Sequence, residues 1–159
     1  MHRIPIALAA TALLLAACGD DPPPLPEVSF TAEGTTVSAR PFLHCDVMVT
    51  KCDRDDAAQA RMPVPPGKPV TVTVPREVAD SPWSVVIQYR TATGEQKDPE
   101  TVATFVPHER SDYTVQPPTP DAQLQTIEIK QASAKQEPGA TSEIQLLARA
   151  VWSLQIEST

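Results

Sequence analysis

The chain has 159 residues, a formal net charge of −7, 41% hydrophobic residues, eighteen prolines and five glycines. That length suits one domain. The acidic balance repels phosphates, and no basic stretch interleaved with aromatics offsets it, so nucleic acid is excluded as a partner. Proline removes a backbone donor and is poorly tolerated inside helices, which favours short strands joined by turns.

The chain opens with His2 and Arg3, a weakly positive start. Ile4 to Leu15 is then apolar apart from Pro5 and Thr11. This run is shorter than the ~20 residues a membrane-spanning helix needs. It fits the central region of an export signal. It closes with Leu15-Ala16-Ala17-Cys18, and Gly19, Asp20, Asp21 and Pro22 follow at once.

That closing tetrapeptide resembles the lipobox of bacterial lipoproteins. The resemblance implies that residues 1–17 are a signal peptide, that Cys18 receives lipid, and that cleavage leaves it first. The chain then carries twelve basic and twenty acidic residues, a net −8. Each buried methylene contributes about 0.8 kcal/mol, and a single acyl chain binds only reversibly. The two or three chains implied by the family would hold the protein firmly. The expected partner is therefore the membrane, through lipid on Cys18, at the outer face of the cytoplasmic membrane.

Residues 18–26 read as the lipidated cysteine and a proline-rich tether. Its prolines favour an extended form at about 3.1 Å per residue, which sets the domain roughly 25 Å from the lipid.

Residues 27–159 read as one all-β domain. Val28, Phe30 and Ala32 alternate with polar residues, and Gly34 offers a turn into Thr35–Leu43, broken by Pro41. Such period-two alternation marks a strand with one buried face. Asp53–Arg61 is the one candidate helical turn, with Ala57, Ala58 and Ala60. Val70, Val72 and Val74 alternate with threonines, and Trp83, Val85, Ile87 and Tyr89 share a face. Thr101–Val106 and Asp112–Gln116 are weaker strands; Leu124–Gln131 carries Ile127 and Ile129 together. Ile144, Leu146, Ala148, Ala150, Trp152, Leu154 and Ile156 all fall on even numbers. A helix would scatter them around its axis. Seven or eight short strands predict an antiparallel β-sandwich, immunoglobulin-like by first choice. The long-spaced Cys, Trp, Cys signature of true immunoglobulin domains is absent.

Cys45 and Cys52 remain as an even pair in an oxidising compartment, so a disulfide is expected. Its eight-residue loop contributes about 2.5 kcal/mol on the chain-entropy estimate. It would pin the excursion Asp46–Lys51 against the sheet. A redox or metal site is the alternative, although redox pairs usually sit closer.

His44 lies beside Cys45 and near Met48. Sulfur with imidazole suits copper(I), so a copper or small-ligand carrier is one functional alternative. Against it, no dense ligand cluster appears, Met48 alternates as a core residue would, and no cofactor is expected. Asp53, Asp55 and Asp56 start like a calcium loop, but Ala57 and the missing glycine break the pattern. No Gly-x-Ser-x-Gly elbow, phosphate loop or His-Glu-x-x-His helix occurs. Catalytic residues are therefore not assigned, and an accessory enzyme of cell-wall metabolism stays a third reading. Trp83 and Trp152 fall on apolar faces, where core packing is the default.

Several stretches resemble a known family. They are Cys45-Asp46-Val47, Val64-Pro65-Pro66-Gly67-Lys68-Pro69-Val70, Val74-Pro75 through Ser81-Pro82-Trp83, Val86–Arg90 and Ala148-Arg149-Ala150-Val151-Trp152-Ser153. They resemble an actinobacterial envelope family catalogued as domain of unknown function 2771, over about residues 27–157. The resemblance implies a secreted or lipid-anchored protein and brings no catalytic residues. The preferred expectation is a lipid-anchored, non-catalytic module that binds an envelope protein, glycan or lipid.

Overall fold

The computed structural model describes residues 23–136 and 146–157. Ile144, at the head of the expected last strand, and Cys18 lie outside them. The fold is two packed sheets, as the alternation predicts, but with eleven strands among the described residues where seven or eight are expected.

The first sheet holds β1 (Val28–Ala32), β2 (Thr35–Ala39), β6 (Val70–Thr73) and β9 (Asp112–Val115), in the order β2-β1-β6-β9. Glu33 and Gly34, both at positive φ, join β1 to β2 in a two-residue turn. Such turns match the twist of the strands they connect. Register places Val37, Phe30, Val72 and Tyr113 in one row. Phe30 and Val72 are fully buried and Val37 and Tyr113 pack against the same core. The next row is Thr36, Thr31, Thr71 and Thr114, on the opposite face. Their hydroxyls bond across strands, at 2.8 Å for Thr31–Thr36 and 3.1 Å for Thr71–Thr114.

The second sheet runs β4 (Cys52–Arg54), β3 (Leu43–Cys45), β11 (Leu146–Glu157), β10 (Gln123–Gln136), β7 (Trp83–Arg90) and β8 (Glu100–Phe105). Val85–Ile129–Trp152 and Ile87–Ile127–Leu154 form two rows across its three central strands. All six side chains are buried, facing the first sheet's row in one continuous core. Both tryptophans are core residues, as expected, and each indole has an acceptor: Arg110 O for Trp83 at 3.2 Å, Pro26 O for Trp152 at 2.8 Å. A buried indole N–H left unpaired would cost about 1–3 kcal/mol.

The order β11-β10-β7 opposite β6-β9 is that of the G, F, C and B, E strands of an immunoglobulin-like sandwich. Two departures account for the three extra strands. Thr35–Leu43, expected as one broken strand, is two: at Arg40–Phe42 the chain leaves the first sheet and enters the second. Asp53–Arg61 is not one helical turn. It holds β4, a 3-10 turn at Asp56–Ala58 and β5 (Ala60–Pro63). β5 runs parallel to β11, alongside Leu154–Glu157, while β3 pairs antiparallel with the same strand at Ala150 and Val151. A short helix, α1 (Arg76–Ala79), connects β6 to β7.

Among the described residues, Gly67 is the glycine whose surroundings forbid a side chain. It has φ +75, donates to Ala122 O at 3.0 Å, and a Cβ there would lie 2.0 Å from Pro120 O.

Candidate functional site

One end of the sandwich gathers the features that packing does not explain. It is built from the start of β7, the far part of β10, α1, the β3–β4 hairpin and the turn after β8. Residues Pro23–Pro26 also lie here. With His44, Glu77, Gln131 and Arg149 they wall a cavity of about 320 Å³. Gln131 is buried and ties α1 down, donating to Glu77 O at 3.0 Å and to Ser81 Oγ at 2.8 Å. A second cavity of about 340 Å³ lies between Val47, Asp80–Pro82, Ala132 and Arg149. Arg149 is the shared wall, and its Nε is buried with no acceptor. The proline-rich segment is thus not free through residue 26. Pro26 is held by the Trp152 hydrogen bond to its O, and Pro23–Leu25 stay exposed along the cavity wall.

The expected disulfide is present, and Cys45 and Cys52 are direct cross-strand partners in β3 and β4. Beyond it, Asp46 organises the turn. Its backbone N–H donates to Lys51 O at 2.9 Å, and Val49 N–H donates to Asp46 O at 3.0 Å. Its carboxylate accepts Thr50 N–H at 2.8 Å, the Thr50 hydroxyl, and Lys51 N–H at 3.2 Å. The Thr50 hydroxyl and amide bonds hold the Asp46 carboxyl below its ordinary pKa of 3.8. Val49 is held at φ +54. A β-branched residue avoids that region, so the surrounding bonds must impose it.

This braced turn carries Val47 and Met48, which are 60% and 62% exposed. Met48 therefore does not alternate into the core. His44 sits within β3, opposite Asp53 and Ala150, and is half-buried. Among the described residues no three His, Cys, Asp or Glu side chains converge on a point.

The acidic knot has local work. Asp55 accepts Ala57 N–H at 3.0 Å, capping the 3-10 turn, and pairs with Arg40 at 3.2 Å; Asp56 pairs with Arg54 at 2.8 Å. On the turn after β8, His108 stands at φ +63. Its N–H donates to Ala79 O, and its Nδ1 lies 2.9 Å from Asp80 Oδ1. Arg76 reaches the other Asp80 oxygen at 3.4 Å. Val106 precedes this turn and is 63% exposed.

Leu25, Val47, Met48 and Val106 are the large hydrophobic side chains left exposed among the described residues. All four occupy this end. From the sequence, Val47 falls in the irregular excursion Asp46–Lys51, Val106 at the end of a strand and Leu25 in the tether, and none stands out as exposed. The available signal was an apolar residue between turn formers, where burial has no strand to serve.

No helix among the described residues is long and apolar enough to cross a membrane. Searches of curated proteins and of solved structures found no significant match. The family model described as a protein of unknown function, DUF2771, matches residues 21–157, and the chain belongs to that family.

Proposed function

We propose that this protein is a lipoprotein of the cell envelope, held by lipid on Cys18 at the outer face of the cytoplasmic membrane, and that it works by surface contact rather than catalysis. The observation that carries the reading is the apolar run Ile4–Leu15 closing on Leu15-Ala16-Ala17-Cys18. A short apolar run with a small-residue close is what an export signal requires. The Cys45–Cys52 disulfide supports an oxidising location. The organised but uncovered turn around Met48 supports recognition through a surface.

The test is cell fractionation with mass spectrometry of the native chain. The expected result is a chain starting at residue 18 with acyl mass on that residue, and release of Cys18→Ser into the soluble fraction. An intact Met1, or unchanged membrane partitioning of Cys18→Ser, would overturn the anchor.

A further inference from the structure

We infer that the end of the sandwich bearing Val47, Met48, Val106 and Leu25 is a lipid-contacting face, and that the braced turn at Asp46–Lys51 dips its two apolar side chains into the bilayer that holds Cys18. The inference rests on the lipid-anchor reading above and adds which surface of the domain meets the membrane.

Reach comes first. Pro23 lies at this end, five residues after Cys18. An extended chain spans at most about 3.6 Å per residue, so the anchor point lies within about 18 Å of Pro23 whatever path the intervening residues take. Trp152 fixes Pro26 to the domain and Pro23–Leu25 line its cavity, so the spacer that remains is short. The end that holds Pro23 is therefore the end drawn to the lipid. The opposite end, at Thr91–Glu95, is separated from it by the eight residues of β7, about 23 Å.

Chemistry comes second. Exposed apolar side chains gathered at one place mark a contact surface. Here they are presented by backbone that cannot fold them away: a disulfide closes the base of one turn, and Val49 and His108 hold positive φ beside the exposed residues. Of the carboxylates at this end, Asp80 lies between Arg76 and His108, whereas Asp46 and Glu109 accept neutral N–H or hydroxyl donors, which do not cancel their charge, so the contact is carried by apolar side chains and not by charge. Lys51 and Arg76 stand exposed at headgroup level, where long cationic side chains are favoured.

The chain downstream of Cys18 has two methionines, which makes a direct test available. Met48 is exposed and Met62 is buried at 1%. The probe is that chain, methyl-labelled at methionine and joined through the Cys18 thiol to a maleimide phospholipid in nanodiscs of phosphatidylglycerol and phosphatidylethanolamine. Lipids carrying a nitroxide on the acyl chain should raise the relaxation rate of the Met48 methyl several-fold over that of Met62. A water-soluble gadolinium chelate should spare Met48. Val47→Asp with Met48 retained should weaken the lipid effect while the Met62 signal stays native. A Met48 methyl untouched by the spin-labelled lipid and relaxed by the chelate would overturn the inference. So would a Met48 shift that tracks protein density in the disc, which would mean a second copy covers this face. Because the lipid is attached chemically, either result stands whether or not cells acylate Cys18, and the fractionation test reads the anchor separately.

Discussion

The sheet-on-sheet core and the β3–β4 hairpin hold together by different means. The core is apolar and continuous: Trp83, Trp152, Phe30, Ile127 and Ile129 touch no water. In β4 all three residues are exposed, so burial contributes almost nothing to its place. A covalent bond, an Asp46-centred turn and two surface ion pairs do that work instead. Exposed ion pairs are worth about 0–1 kcal/mol each, so the disulfide dominates. The contrast teaches that a disulfide lets a chain display a shaped turn on an edge strand that buries none of its own side chains.

Four experiments sharpen that contrast, taken from the largest effect to the smallest. Trp152→Ala should cost about 3–5 kcal/mol, as large aromatic truncations in cores do, and lower the global transition seen by calorimetry. It also frees Pro26 O, so proteolysis near residues 23–26 should rise with it. A Trp152→Ala protein that melts like the parent would mean the two sheets do not depend on their shared core. Replacing both cysteines, Cys45→Ser with Cys52→Ser, should remove about 2.5 kcal/mol on the loop-entropy estimate. Most of that loss should appear as local opening of residues 43–54 in hydrogen exchange, with β7, β10 and β11 still protected. Uniform loss of protection would show that the hairpin is part of the core after all.

Gly67→Ala should cost about 2 kcal/mol, because a side chain at positive φ is strained by about 1–2 kcal/mol and the added Cβ meets Pro120 O. The loss should be global, since this contact ties the β5–β6 loop to the approach to β10. The smallest effect is that of acid. The Asp46 carboxyl has a lowered pKa in the folded chain. Its contribution is therefore complete above the ordinary 3.8 and is lost as pH falls below that value, through the folded pKa. Exchange of the Thr50 and Lys51 amides should accelerate in that window while the rest of the sheet is unaffected, and Asp46→Ala should show the same fast exchange at neutral pH.

The legible parts of the fold were strands whose largest side chains alternate. In β7 and β11 every second residue meets the other sheet, although Val86, Val151 and Ser153 on the opposite face are buried too. β10 runs to Gln136, five residues beyond its predicted end, because a register shift at Gln131/Ala132 breaks the period there. β5 was hidden by Ala57, Ala58 and Ala60, small residues that suit a helix and a strand beside β11 equally. β4 has no buried side chain and so no pattern; only its cysteine betrays it. For the candidate site, the disulfide followed from cysteine count and spacing. The placing of Leu25, Val47, Met48 and Val106 at one end did not, because three separate segments bring them there: the residues before β1, the turn after β3 and the turn after β8.

The outer strands of both sheets carry a further consequence. β4 is three residues long and bears Asp53 and Arg54; β9 is four and opens on Asp112. Unpaired strand edges recruit one another, and brevity and charge discourage that recruitment. At these two edges, copies side by side would meet blunt, charged rims; the longer β2, which bears no charge, and β8, charged at Glu100 alone, are the edges left open to such pairing.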